Sequence, residues 1–187
     1  MIDERLVFYE GKHVRLKVLT PQDVVESDWV GWFNDESMSA YNQHHYFPNT
    51  FEQQRDILAS CVPPHKFQLG IVDRANSDKI CGVASLGDID WIHRHAEIAG
   101  IQATRHTNTN PALFLETWSI MLRHGFEQFG LNKIYGGTFH PHVTAALTRV
   151  FNFEVEGVRR RHVYKNGTYR DITLVAVFKD TVQYPEF

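Results

Sequence analysis

The chain has 187 residues, 43% of them hydrophobic and 13% aromatic, which suits one domain around a single core and excludes a disordered chain. Its formal net charge of −3 supplies no basic field of the kind that draws nucleic acid or an anionic membrane, so neither is an expected partner. Two cysteines, Cys61 and Cys81, set no disulfide framework or metal spacing, and the charged start MIDERLVFYEGK lacks the apolar core of a signal peptide, so a cytoplasmic, reducing setting is expected.

HVRLKVL (13–19) alternates as a strand does. Thr20-Pro21 then supplies an N-cap with proline at the first helical position, predicting a helix to about Asn34. Its Trp29, Trp32 and Phe33 share one face and read as core packing. Asn49-Thr50 opens a second helix over FEQQRDILASC, ended by Pro63-Pro64. The period then changes to two. KFQLGIVDR (66–74), a turn at ANSDK and ICGVASLGDIDW (80–91) predict a hairpin, with HAEIAGIQA (95–103) as a third strand.

TRHTNTNP (104–111) is polar and turn-rich, and the helix after it is predicted from Pro111 to about Phe129. Phe114, Trp118, Met121, Leu122, Gly125 and Phe126 form its apolar stripe, and Gly130 is placed to end it. KIYGGTF (133–139) reads as a strand and TAALTRVFNF (144–153) as a helix. EVEGVRRRHVY and TYRDITLVAVF close the chain as strands turned at Lys165-Asn166-Gly167. The apolar run LVAVF (174–178) is far too short to span a bilayer. The order predicts a single α/β domain over 1–187, a mixed, mostly antiparallel central sheet flanked by helices.

Four segments, WFNDESMSAYNQHHYFPNTFEQQRDIL, GVASLGDIDWIHRHAEIAGI, FEQFGLNKIYGG and FNFEVEGVRRRHVYKNGTYRDI, occur in an order and spacing that resembles the GNAT acyltransferase superfamily. The likeness covers nearly the whole chain and is nearest to the branch of ribosomal-protein N-terminal alanine acetyltransferases and amino-sugar N-acetyltransferases. It implies transfer of an acyl group, acetyl from acetyl-CoA first of all, to the primary amine of an amino sugar or a protein N-terminus. The acceptor partner is then a small-molecule or peptide amine, and no metal is called for.

Asn110-Pro111 marks a helix N-terminus, whose free N–H groups and dipole suit an anion. In the superfamily this strand–loop–helix unit holds the CoA pyrophosphate through a Q/R-x-x-G-x-G/A motif. Counting back from FGLNK puts the motif on Thr109 to Phe114. The cofactor-binding expectation therefore falls on Ile101, Gln102 and Ala103 of the strand and on Thr109, Asn110, Ala112, Leu113 and Phe114 of the motif. The match is partial: Ala112 stands where glycine is usual and Phe114 where glycine or alanine is usual, and Pro111 removes an N–H donor. Thr107, Thr109 and Asn110 offer side-chain donors in compensation. The alternative is that Asn110 only caps the helix and Phe114 packs in the core.

The resemblance assigns Glu97, in the central strand, to take a proton from the amine, often through water. Its alternative is a structural pairing with Arg94 or Arg105. A bulge in IAGIQA is expected to splay the strands for an acyl-pantetheine arm. The asparagine and tyrosine common in the family fall near Pro141 or His142 and on Thr148, and His142, with His140, is the candidate proton shuttle in their place. The family's acceptor pocket maps to Tyr41, His44 and His45 of YNQHHYF, with Trp91 and His93 of DIDWIH. The paired histidines lack a third ligand at recognisable spacing. Arg159-Arg160-Arg161-His162 reads as a solvated strand end with side chains on alternate faces, or as a grip for an anionic substrate. The C-terminal hairpin is an edge at which a homodimer would pair. The lost glycines, asparagine and tyrosine also motivate a rival function: a GNAT fold that has left CoA for another donor, or for binding and scaffolding.

Overall fold

Thr20 and Thr50 start their helices as capping boxes, with Asp23 and Gln53 reaching back to the cap backbone. The first of these does not run on to Asn34. Ser27 turns its hydroxyl onto the Asp23 carbonyl at 2.5 Å and accepts from the Trp29 N–H at 3.2 Å. This local competition with the helical ladder splits the segment into α1 (Pro21–Glu26) and α2 (Trp29–Asn34). The third helix, α3, covers Phe51–Ser60.

The computed structural model describes residues 3–75, 79–102 and 111–187. Among them, eight strands form one sheet. They are β1 (Val7–Glu10), β2 (Val14–Lys17), β3 (Phe67–Asp73), β4 (Ile80–Asp90) and β5 (His95–Gln102), then β6 (Lys133–Thr138), β7 (Glu154–Lys165) and β8 (Thr168–Phe178). Two further helices, α4 (Pro111–Arg123) and α5 (Pro141–Phe151), flank β6 in the chain. The strand order is β1-β2-β3-β4-β5-β6-β8-β7, antiparallel throughout except between β5 and β6. The mixed, mostly antiparallel sheet flanked by helices is the fold class expected from the sequence.

Two apolar layers hold the sheet. On one face, Leu113, Met121 and Leu122 of α4 and Leu147 and Phe151 of α5 pack on Leu86, Ala96, Ile98, Ile134 and Val175. On the other, Val24, Trp29, Trp32 and Phe33 of α1 and α2 cover Val72, Ile80 and Val83. All three aromatics of α2 are buried, in accord with their reading as core. Each such side chain, fully buried, contributes about 1.5–3 kcal/mol from area alone.

After Arg123, the helical chain continues as one π-helical turn, His124–Gln128. Gly130, at φ +64°, ends it as anticipated. Asn166 and Gly167 both take positive φ, as the two-residue turn between β7 and β8 requires.

Candidate active site

β5 alternates between the two layers. Ala96 and Ile98 enter the α4 side of the core, so Glu97 faces the α1–α2 side. There it lines a cavity of about 290 Å³, together with His95 of β5 and Tyr135 and Gly137 of β6. Arg159 and His162 of β7 close one side, and Gln43 approaches from the α2–α3 loop. Ile172 and Leu174 of β8 give it an apolar floor.

Glu97 and Tyr135 are direct partners across the parallel ladder, and theirs is the last pairing in it. Beyond this point β5 continues to Gln102 against β4, while β6 continues to Thr138 against β8. Over Ile98–Ile101 and Gly136–Thr138 the facing edges of β5 and β6 have no strand partner among the described residues, leaving backbone groups available to an extended ligand arm. Gly136 lets the strands start close: a Cβ there would lie 3.3 Å from the Ile98 carbonyl oxygen. The expected bulge in IAGIQA is not where the irregularity lies. Pairing with β4 is in register from Glu97 to Gln102, and the extra residue sits on β4 between Gly87 and Asp90, with Asp88 at φ +46°. The strands part because β4 and β8 draw β5 and β6 in different directions.

No hydrogen-bond or ion-pair partner among the described residues holds the Glu97 carboxylate. Arg94, one of its suggested structural partners, places its guanidinium against Gly130 instead, and Arg105 lies outside the described residues. Burial first, and the charge of Asp88 second, raise the Glu97 pKa above its ordinary value, against the pull of Arg159 and Lys66. Burial and the same acidic field, with Glu97 foremost, raise the Tyr135 phenol, so its O–H remains a donor at neutral pH.

The α2–α3 loop is tied down over this cavity from the β7–β8 turn. Lys165 is 4% exposed and donates to the His44 carbonyl at 2.5 Å, with its ammonium 4.8 Å from the Tyr46 ring. The Tyr46 hydroxyl donates to the Tyr164 carbonyl at 2.7 Å. His44 folds back onto Phe33, with ring centroids 4.3 Å apart, and burial lowers its pKa. His45 takes φ +65°. Tyr41 packs on His140 at 4.4 Å.

Trp91 donates its indole N–H to the Pro64 carbonyl at 2.9 Å and meets Phe129 edge-on, a structural seat. His93 lies parallel to His95 at 6.4 Å, in a turn that the Asp90 carboxylate organises by accepting from the Ile92 and His93 N–H groups. The acceptor segments thus lie beside the cavity, but the side chains lining it are their neighbours Gln43 and His95. His142 lies in the first turn of α5, its N–H donating to His140 Nδ1 at 3.2 Å, and is not among the cavity's lining residues.

On the donor side, Ala103, Thr107, Thr109 and Asn110 lie outside the described residues. Ile101 packs against the α1–α2 layer, and Gln102 pairs with Gly82. Pro111 starts α4, with Ala112 in its first turn. Leu113 is fully buried and Phe114 packs against Trp118 at 5.1 Å, so a ligand at this helix end would meet their backbone rather than their side chains.

A mixed sheet that parts after a parallel β5–β6 pair, with a carboxylate at the fork, is the arrangement that the resemblance to the GNAT acyltransferases implies. No protein-family model matches the chain. It is 25% identical over 174 residues to an uncharacterized N-acetyltransferase, YoaA, of Bacillus subtilis strain 168, covering 91% of this chain and 96% of that one. Its fold matches spermidine N-acetyltransferase from Vibrio cholerae, solved with CoA and spermine, at a TM-score of 0.77 and 20% identity over 91% of this chain and 98% of that one. It also matches the ribosomal-protein-S5-alanine acetyltransferase of Vibrio fischeri at 0.77 and 17% identity, over 92% and 96%. Fold and sequence likeness point the same way: the chain has the fold of the GNAT acyltransferases and is similar in sequence to an N-acetyltransferase. None of its described helices is long and apolar enough to cross a membrane.

Proposed function

We propose that the enzyme transfers acetyl from acetyl-CoA to the primary amine of a small acceptor, an amino sugar first and a protein N-terminus second. One observation carries the reading: Glu97, without a partner among the described residues, stands in a cavity at the fork of β5 and β6. Acetyl-CoA supplies the activated acetyl thioester. The facing edges of Ile98–Ile101 and Gly136–Thr138, which have no strand partner among the described residues, and the start of α4 would hold it.

Glu97 takes one proton from the incoming amine, directly or through water, freeing the nitrogen lone pair. The N–C bond forms as the C–S bond breaks, and the displaced thiolate gains a proton, so one amide and one thiol result. Tyr135, kept protonated, is a donor beside this exchange, and His142 is the candidate shuttle to solvent. Exposed strand-edge N–H groups would polarise the thioester carbonyl.

The cavity volume, about 290 Å³, lies at the lower end of small-ligand sites, which supports a sugar-sized acceptor over an extended chain. The structural relatives are named for spermidine and for a ribosomal-protein alanine, each of which presents an amine. The test is release of CoA thiol from acetyl-CoA on addition of glucosamine-type sugars and alanine-terminated peptides. Release that depends on the amine supports the reading, and silence with every amine overturns it.

A further inference from the structure

We infer, resting on the acetyltransferase reading above, that the acceptor carries an anionic group, a carboxylate or phosphate, which Arg159 receives while the amine faces Glu97. The charges around the cavity are unevenly satisfied. Lys133 is neutralised by Glu156 at 2.5 Å, and Arg160 reaches Asp171 at 3.7 Å. Neither Arg159 nor Glu97 has an ion-pair partner among the described residues, and the two sit on the same cavity. The two are close enough for their charges to interact, yet they form no salt bridge. A molecule with a positive and a negative end satisfies both groups at once. A polyamine would bring a second cation to the guanidinium.

The backbone builds this pairing. In a regular strand, residues three apart point to opposite faces, yet Arg159 and His162 both line the cavity. Between Arg159 and Val163, β7 spends four steps while β8 spends two, from Ile172 to Arg170. The bulge is held by Asp171, whose Oδ1 accepts the Arg161 N–H at 2.7 Å, with Arg161 at φ +50°. The basic run does not alternate as a plain strand end would. It brings Arg159 and His162, both still solvent-exposed, to the cavity together, while Arg160 reaches Asp171 instead.

The experiment compares acetylation rates for matched acceptors: glucosamine with glucosamine 6-phosphate, and an amino acid with its amide, with spermidine as the cationic control. Each is measured on the wild type, on Arg159→Gln and on Arg160→Gln. The anionic member of at least one pair should be favoured in kcat/KM by about tenfold or more. That ratio should collapse toward one in Arg159→Gln and survive in Arg160→Gln. Preference in the sugar pair alone names phosphate, and in the amino-acid pair alone names carboxylate. A neutral acceptor or spermidine used as well as the anionic ones, or a ratio untouched by Arg159→Gln, overturns the inference and leaves the acetyltransferase reading standing. Failure with all acceptors, charged or neutral, overturns both.

Discussion

Glu97→Gln is expected to lower turnover by about 10²–10⁴-fold, the usual contribution of a positioned general base, without lowering stability. Glutamine keeps the size and fills the same place between His95 and Tyr135, but it cannot accept the amine's proton. The wild-type rate should rise with pH as Glu97 ionises, with the rising limb above the ordinary carboxylate value of 4.5 because burial and Asp88 hold the proton on. In Glu97→Gln that limb should vanish from the residual rate.

Stability moves the other way. A carboxyl whose folded pKa is raised supports the fold fully below its unfolded pKa, and that support is lost as pH rises through the folded pKa. At neutral pH the ionised Glu97 is therefore a burden on the fold, and the neutral amide removes it. Melting curves of the variant at pH 7 should lie at or above those of the wild type. A variant that kept wild-type turnover would take Glu97 out of the mechanism. One that lost both rate and stability would make it a structural residue.

Glu116→Ala should cost about 3–5 kcal/mol of folding stability, the scale of a buried charge network broken from one side. Glu116 is 5% exposed on α4. Its Oε1 accepts the Lys12 N–H at 2.5 Å, and its Oε2 accepts those of His13 and Val14 at 2.7 and 3.1 Å. The turn between β1 and β2 is thereby fastened to the helix that begins beside the donor slot. Gly11 permits the approach, since a Cβ there would lie 2.6 Å from Oε1.

Alanine leaves three backbone donors without this acceptor, that of Val14 fully buried and those of Lys12 and His13 partly so, the buried one at a penalty of about 1–3 kcal/mol before relaxation. Glutamine is no remedy. Both carboxylate oxygens already accept N–H groups, so either orientation of the amide sets its NH₂ against a donor. Urea denaturation should place Glu116→Gln between the wild type and Glu116→Ala. Equal midpoints for all three would show that the carboxylate does not carry this junction.

The strongly periodic elements were legible in the sequence for physical reasons. The α4 stripe, its Gly130 stop, the Thr50 capping box and the Asn166-Gly167 turn are each settled by residues within one or two turns of chain. What escaped depends on competition or distance. β1 is four residues long and, among the described residues, pairs only with β2, so it carries no pattern of its own. The helix expected from Thr144 starts at Pro141, because proline there occupies the first helical position instead of breaking the element. The helix expected from Thr20 to Asn34 breaks at Ser27, whose hydroxyl takes the Trp29 N–H away from the helical ladder.

The site divides in the same way. Glu97 could be named from its segment's resemblance to known acyltransferases. Tyr135, His95, Gln43, Arg159 and His162 could not, because the sheet order β5-β6-β8-β7 and the bulge opposite Asp171 bring them together. The basic run RRRH was the only local signal for two of them, and its alternation pattern pointed the wrong way.

A calorimetric titration of the wild-type protein with acetyl-CoA bears most directly on the central claim. The donor motif departs from the family pattern at Ala112 and Phe114, yet the parted edges of β5 and β6 offer the arm its place. One saturable binding event per chain, accompanied by a rise in melting temperature, is the expected result. No heat and no thermal shift at millimolar acetyl-CoA would contradict the account and favour a GNAT fold that works with another donor or none.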